Sequence, residues 1–321
     1  MVTFIATLII VVLALLAFAL GLLLSLPKEL RVAQSRVLQH PERQVAELIS
    51  NLNLWHKWNP WLLHDPQSGS SEESAHHWNS HFFGKGRIES DKDIQGDSLH
   101  FMAEFKGVPS RVEMHWEEQD SETELTWKIN GRLPWHQRWK QFKLQNQLKQ
   151  DLQLGLLLVE NQLAESPETF RIKFGNRVEL AEVTGISQHF FGNFDEIGDY
   201  ASEAFEQLFA KLTVSQQPQA PLTAFHKVDL ISLTTECEFF IPLHEIEPGQ
   251  EASHLPGGAF YRIDYYGAQR HLELVWNQAL QHLQATGIRI DRSRPYLEEY
   301  LTDPKTTAED AMHTVLYLPI K

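Results

Sequence analysis

The sequence predicts an α+β protein in two parts behind an N-terminal transmembrane helix, and three observations predict it. Thr3 to Leu26 contains no charged residue. Between Leu99 and Ile129 apolar residues alternate with polar ones, the period of strands with one buried face. The C-terminal half repeats itself. ECEFFIPL, Glu236 to Leu243, matches HTVLYLPI, His313 to Ile320, at an offset of 77, and Phe190-Phe191-Gly192 falls on Tyr265-Tyr266-Gly267 at an offset of 75. The second offset also carries Ile197 onto Leu272, Tyr200 onto Val275, Ala204 onto Ala279 and Leu208 onto Leu283. Each copy reads as a strand, an aromatic pair with Gly, an amphipathic helix and two more strands, an arrangement that packs about a pseudo-twofold axis.

At about 1.5 Å per residue, Thr3 to Leu26 is long enough to cross a hydrocarbon layer of about 30 Å. The rival reading is a signal peptide cleaved near Gly21 or Ser25, against which stand the missing basic n-region and the length of the apolar run. Lys28, Arg31, Arg36 and Arg43 follow the segment, so the positive-inside rule places the body in the cytoplasm. The expectation is a single-pass membrane protein anchored by residues 1–27.

In residues 28–166, Leu30 to Leu38 alternates as a strand. Pro41 to Leu54 reads as a helix with Val45, Leu48 and Ile49 inward. LWHKWNPW then places Trp55, Trp58 and Trp61 within seven residues, and Asp65 to Ala75 reads as a polar loop. Three antiparallel strands follow, with Leu99, Phe101, Ala103 and Phe105, then Val112, Met114 and Trp116, then Leu125, Trp127 and Ile129 on their apolar faces. A long helix closes the region with Leu144, Leu148, Leu152, Leu156, Val159 and Leu163 on one stripe, and its Gly155 permits close approach. Strand, short helices, meander and long final helix resemble the START-like helix-grip fold of the SRPBCC, polyketide cyclase-like, proteins over Leu30 to Glu165. That resemblance implies a hydrophobic cavity between sheet and final helix and carries over no catalytic residue.

AESPET, Ala164 to Thr169, separates this region from the duplicated one, residues 167–321. Val214 to Leu222 and Glu245 to Gly258 are loops within the latter, the second a candidate mobile rim. The E-x-Y-L-x-D-P run at Glu298 to Pro304, with the late strand ending in a Pro-apolar pair, resembles the GyrI-like domains that serve as effector-binding modules. The resemblance covers Glu168 to Lys321 and implies binding of a small molecule.

Composition narrows the function classes. The formal charge is −14, with 16 basic and 20 acidic residues through Ser166 and 12 against 22 thereafter. Neither half shows a run of Lys and Arg, so nucleic acid is not expected as a partner. The lone Cys237 reads as a small buried residue. His76, His77 and His81 enter a strand, where four-residue spacing does not align side chains, and no metal site is expected. There is no nucleophile elbow and no phosphate loop, so no catalytic residue and no cofactor are assigned.

Glu298 and Glu299 are neighbours on a strand and point to opposite faces. Glu298 shares its face with Tyr296 and Tyr300, holds the Glu of the E-x-Y run, and has Thr223 as its counterpart at offset 75. A carboxylate between tyrosines suits a cationic or aromatic ligand. Tyr261, Tyr265, Tyr266 and Trp276 are the further candidate walls, although Trp276 lies on the helix stripe, which favours the core for it; Phe190 and Phe191 are weaker counterparts. The leading expectation is a membrane-anchored, non-enzymatic protein binding small hydrophobic or cationic molecules in two apolar pockets. The alternatives are a hydrolase whose pocket glutamate activates water, and a protein-interaction or inhibitor module whose acidic C-terminal part meets a basic partner.

Overall fold

The computed structural model describes residues 10–15, 18, 21–22, 24–63, 66–72, 74–80, 83–120, 122–164, 170–193, 196–229 and 234–321. They form two compact units, Met1–Pro167 and Glu168–Lys321, each an antiparallel eight-stranded sheet with helices. The architecture is α+β, and the membrane helix expected in front of it is corrected. Among the described residues no helix is long and apolar enough to cross a membrane. Hydropathy registers composition, whereas a span needs an unbroken apolar helix of about 20 residues. The membrane localisation, the membrane as partner and the cytoplasmic orientation were all read from that span and are withdrawn with it. Part of Thr3 to Leu26 lies outside the described residues.

In the first unit, strands β1 (Glu29–Leu38), β2 (Gly69–Glu72), β3 (Ala75–Ser80), β4 (Gly84–Glu89), β5 (Ile94–Gln95), β6 (Ser98–Phe105), β7 (Val108–Gln119) and β8 (Glu122–Arg132) take the order β1-β8-β7-β6-β4-β3-β2, with β5 beside β6. Helix α1 (Glu42–Ser50) buries Val45, Leu48 and Ile49, the positions its periodicity selects. The long helix α2 (Gln141–Leu163) buries Leu144, Leu148, Leu152, Leu156 and Val159, and also Leu154, Leu157 and Leu158 on its flank. Its Gly155 is required by packing, because a Cβ there would stand 2.4 Å from Cζ3 of Trp127.

Tryptophan fills the space between sheet and helices. Trp55, Trp58, Trp61, Trp78, Trp116 and Trp127 are all fully buried. Trp61 stacks on Trp78 at 5.1 Å and meets Trp127 edge-on at 5.5 Å. Trp55 Nε1 donates to the Ile49 carbonyl at 2.8 Å. Among the described residues the other five indole N–H groups are buried without a protein partner, which sets about 1–3 kcal/mol apiece against the gain from ring burial. His76 lies among these rings, its Nδ1 2.9 Å from the Ser71 hydroxyl.

In the second unit, strands β9 (Phe170–Leu180), β10 (Val183–Asn193), β11 (Leu222–Asp229), β12 (Thr234–Pro242), β13 (Ser253–Leu255), β14 (Gly258–Gly267), β15 (Tyr296–Tyr300) and β16 (His313–Pro319) take the order β13-β10-β12-β11-β15-β16-β14-β9. Helices α3 (Ile197–Ala210) and α4 (Leu272–Ala285) follow β10 and β14. The central six strands thus run 10-12-11 and then 15-16-14, the same sequence read outward from the β11–β15 junction.

The sheet is curled, as its connections require. Six strand spacings of about 4.8 Å separate β10 from β9 in a flat sheet, about 29 Å. Leu180 and Val183 are joined through only Ala181 and Glu182, a reach of at most about 11 Å. Leu222, Ala224, Phe240, Leu255, Phe260, Leu297, Val315 and Tyr317 form the core of the concave face. Arg294 clasps this closed end: it donates to the carbonyls of Gly257 (3.2 Å), Ala259 (2.9 Å) and Ile320 (2.8 Å), with its guanidinium 4.8 Å above the Phe260 ring.

Candidate functional site: a buried glutamate between sheet and helix

Strand β15 is short, yet both of its neighbours fix its register. Thr223 of β11 and Leu316 of β16 flank Glu298, and Leu222 and Val315 flank Glu299. The two glutamates therefore face opposite ways, as alternation requires. Glu299 lies on the concave face, where the Tyr317 hydroxyl donates to it at 2.9 Å. Glu298 lies on the face covered by α3 and α4 and is only 5% exposed.

Each oxygen of the Glu298 carboxylate has a neutral donor. Trp276 Nε1, from α4, donates to Oε1, and the Tyr300 hydroxyl donates to Oε2 at 2.8 Å. Because Tyr300 gives its only proton to Glu298, the Thr223 hydroxyl 2.9 Å away must donate to Tyr300. The rings around the carboxylate form a box: Trp276 meets Tyr296 edge-on at 5.7 Å and Phe225 at 6.1 Å, and Phe205 of α3 meets Tyr300 at 5.8 Å.

No ion pair to Glu298 is found among the described residues. Burial accordingly pushes its pKa up, while the bonds from Trp276 and Tyr300 pull it back. The same burial raises the Tyr300 phenol well above its ordinary value, helped by the neighbouring Glu298 charge. The Cys237 thiol is pushed up to about 12 by burial, then by Glu298 and Glu238. It stays a thiol at neutral pH.

Of the candidate residues, the structure brings together Glu298, Tyr296, Tyr300 and Trp276. Tyr261 and Tyr265 share the helix-covered face but stand two strands away on β14. Tyr261 Oη lies 3.0 Å from His282 Nε2, and Tyr265 donates to the Ala268 carbonyl at 2.9 Å. Tyr266 points to the opposite face, where it stacks on His313 at 4.3 Å and sits beneath Arg171 at 4.4 Å. Adjacent residues of one strand cannot share a face, so Tyr265 and Tyr266 were never both available. Phe190 packs on Tyr200 in the α3 core, and Phe191 is exposed.

Sequence reasoning missed Phe205, Phe225 and the donor role of Thr223. Phe225 carried a signal, for it is the offset-75 counterpart of Tyr300. Phe205 carried none, because its arrival depends on how α3 lies on the sheet. Among the described residues no group of three His, Cys, Asp or Glu side chains gathers as metal ligands do. His76 spends its nitrogens on Ser71 and Asn59.

No protein-family model and no curated protein matches the chain. Solved structures are similar to parts of the chain. The EcmrR C-terminal domain is similar at 13% identity and a TM-score of 0.40, over 47% of this chain and 98% of that one. SAV2435 bound to tetraphenylphosphonium is similar at 14% identity and a TM-score of 0.35, over 47% and 93%. An uncharacterized conserved protein from Listeria innocua is similar at 18% identity and a TM-score of 0.34, over 46% and 91%.

Proposed function

We propose that the second unit, Glu168–Lys321, is a small-molecule-binding domain of the GyrI-like, effector-binding kind, and that Glu298 selects a lipophilic cation or an aromatic N–H donor as its ligand. The observation that carries this reading is a carboxylate buried in a box of aromatic rings and held by two neutral donors, with no cation beside it among the described residues. A buried charge is costly until an opposite charge meets it, and aromatic faces attract the same cation. The ligand's positive centre takes the place of the Trp276 N–H beside Oε1, and the indole turns to become part of the wall. The same proposal places the first unit, residues 28–166, among START-like domains, supported by the long α2 lying along an apolar sheet face.

Tetraphenylphosphonium, a lipophilic cation without an N–H, isolates the charge contribution. Calorimetric titration of the full chain is expected to show binding that Glu298→Gln weakens by roughly tenfold or more, because the buried carboxylate's attraction for the cation is lost while the aromatic contacts remain. Glu299→Gln, on the other face, is expected to leave the affinity within about twofold. Equal affinity in Glu298→Gln and the parent protein sinks the proposal.

A further inference from the structure

From Leu125 to Gln150 the chain carries six basic residues and no acidic one, although its net charge is −14. The same stretch carries exposed aromatic rings. A 3-10 turn, Trp135–Lys140, leads into α2, and Trp135, Trp139 and Phe142 are 52%, 65% and 73% exposed. Trp139 is not loose: its Nε1 donates to the His136 carbonyl at 3.0 Å, and Lys140 Nζ stands 5.0 Å above its ring. Arg132, Lys140, Lys143 and Lys149 are exposed in the same stretch of chain.

The second unit carries the complementary composition. From Asn193 to Ala210 there are five acidic residues and no Lys or Arg. On α3, Asp199, Glu203 and Glu206 are exposed, and Phe209 is 42% exposed. Among the described residues Glu206 alone of the three has a cation, Lys305; Glu203 is held by the Gln207 amide at 2.9 Å.

We propose that two copies of the chain associate head to tail, the aromatic and basic patch of one seated on the acidic face of α3 of the other. Exposed Trp with flanking cations is the composition of interface hot spots. Trp139, Trp135 and Phe142 supply the apolar contact, while the lysines and the α3 acids set register and salt dependence. With a screening length of about 8 Å at physiological salt, the local charges govern the contact rather than the like net charges of the two bodies. Because the two faces differ, the contact is heterologous, and assembly grows with concentration.

Light scattering of the full chain over a concentration series tests this. The mass is expected to rise with concentration at about 50 mM salt and to return to one chain at about 500 mM. Trp139→Ala, Lys143→Glu and Glu203→Lys are each expected to weaken association roughly tenfold or more. An equal mixture of the Lys143→Glu and Glu203→Lys variants is expected to associate again, because the unaltered patch of the second meets the unaltered α3 of the first and the two reversed charges meet each other. A single-chain mass at all concentrations in low salt overturns the proposal, as does association unchanged in all three variants. So does a patch that binds anionic vesicles or oligonucleotides, with the same sensitivity to Trp139→Ala, while the parent chain stays monomeric.

Discussion

Glu298 spends stability on its charge. Burial raises its pKa, so the folded state binds its proton more tightly than the unfolded chain; the stability this confers is present at low pH and is lost as pH rises through the folded value. Glu298→Gln, which cannot ionise, is therefore expected to melt higher than the parent protein at pH 7 and to lose that advantage near pH 4, as scanning calorimetry at the two pH values would show. His76 behaves in the opposite sense. Burial, then the nearby His77 and His56, lowers its pKa from 6.5 to about 4. Its stability contribution is full above pH 6.5 and is lost as pH falls toward 4, about 3 kcal/mol in all. His76→Gln is expected to flatten that acid limb in denaturant titrations between pH 7 and 4, and an unchanged limb would locate the acid sensitivity elsewhere. Alternation alone told Glu298 from Glu299, because a strand leaves no third direction. It could not tell that Trp276, readable as helix core or as pocket wall, points its N–H at the carboxylate, since that depends on the seating of α4 over β15.

Among the elements, the strands of the meander were legible where side chains alternate cleanly, as in Leu99, Phe101, Ala103 and Phe105. Strand β2 was not: Gly69–Glu72 is GSSE, polar throughout, and becomes a strand only because β3 pairs with it. Gly155 was readable as a close approach, and Trp127 is what approaches. Gly155→Ala adds a methyl group against that ring. The overpacking of about 1–3 kcal/mol exceeds the helix-propensity gain of about 1, so net destabilisation is expected, read as a lower urea midpoint with an unchanged slope. Arg294 offered no periodic signal, yet it holds three carbonyls from separate strands and links. Arg294→Lys keeps the charge and loses the planar fork. It is expected to cost about 2–3 kcal/mol and to speed hydrogen exchange at Gly258 and Ala259 before the rest of the sheet.

At the scale of the whole chain, the structure divides between Pro167 and Glu168. The proposal that each part is a domain predicts that Glu168–Lys321 expressed alone unfolds in one cooperative transition; a fragment without a transition by circular dichroism would mean that the units depend on each other to fold. The pairing of Thr223 with Glu298 adds a consequence for how such a site can come to exist. These two residues are cross-strand neighbours and also counterparts at the offset of 75, so they stand at the one point where the halves of the sheet face each other residue for like residue. Were the halves separate and identical chains, whatever occupied this point would meet itself. A glutamate would confront a second glutamate about 5 Å away, in a setting that already resists one charge. Joining the halves in a single polypeptide lifts that obligation: one side keeps a small hydroxyl that serves Tyr300, and the other takes the acid. The lone charge is thus a product of covalent linkage, and no symmetric assembly of either half by itself can recreate it.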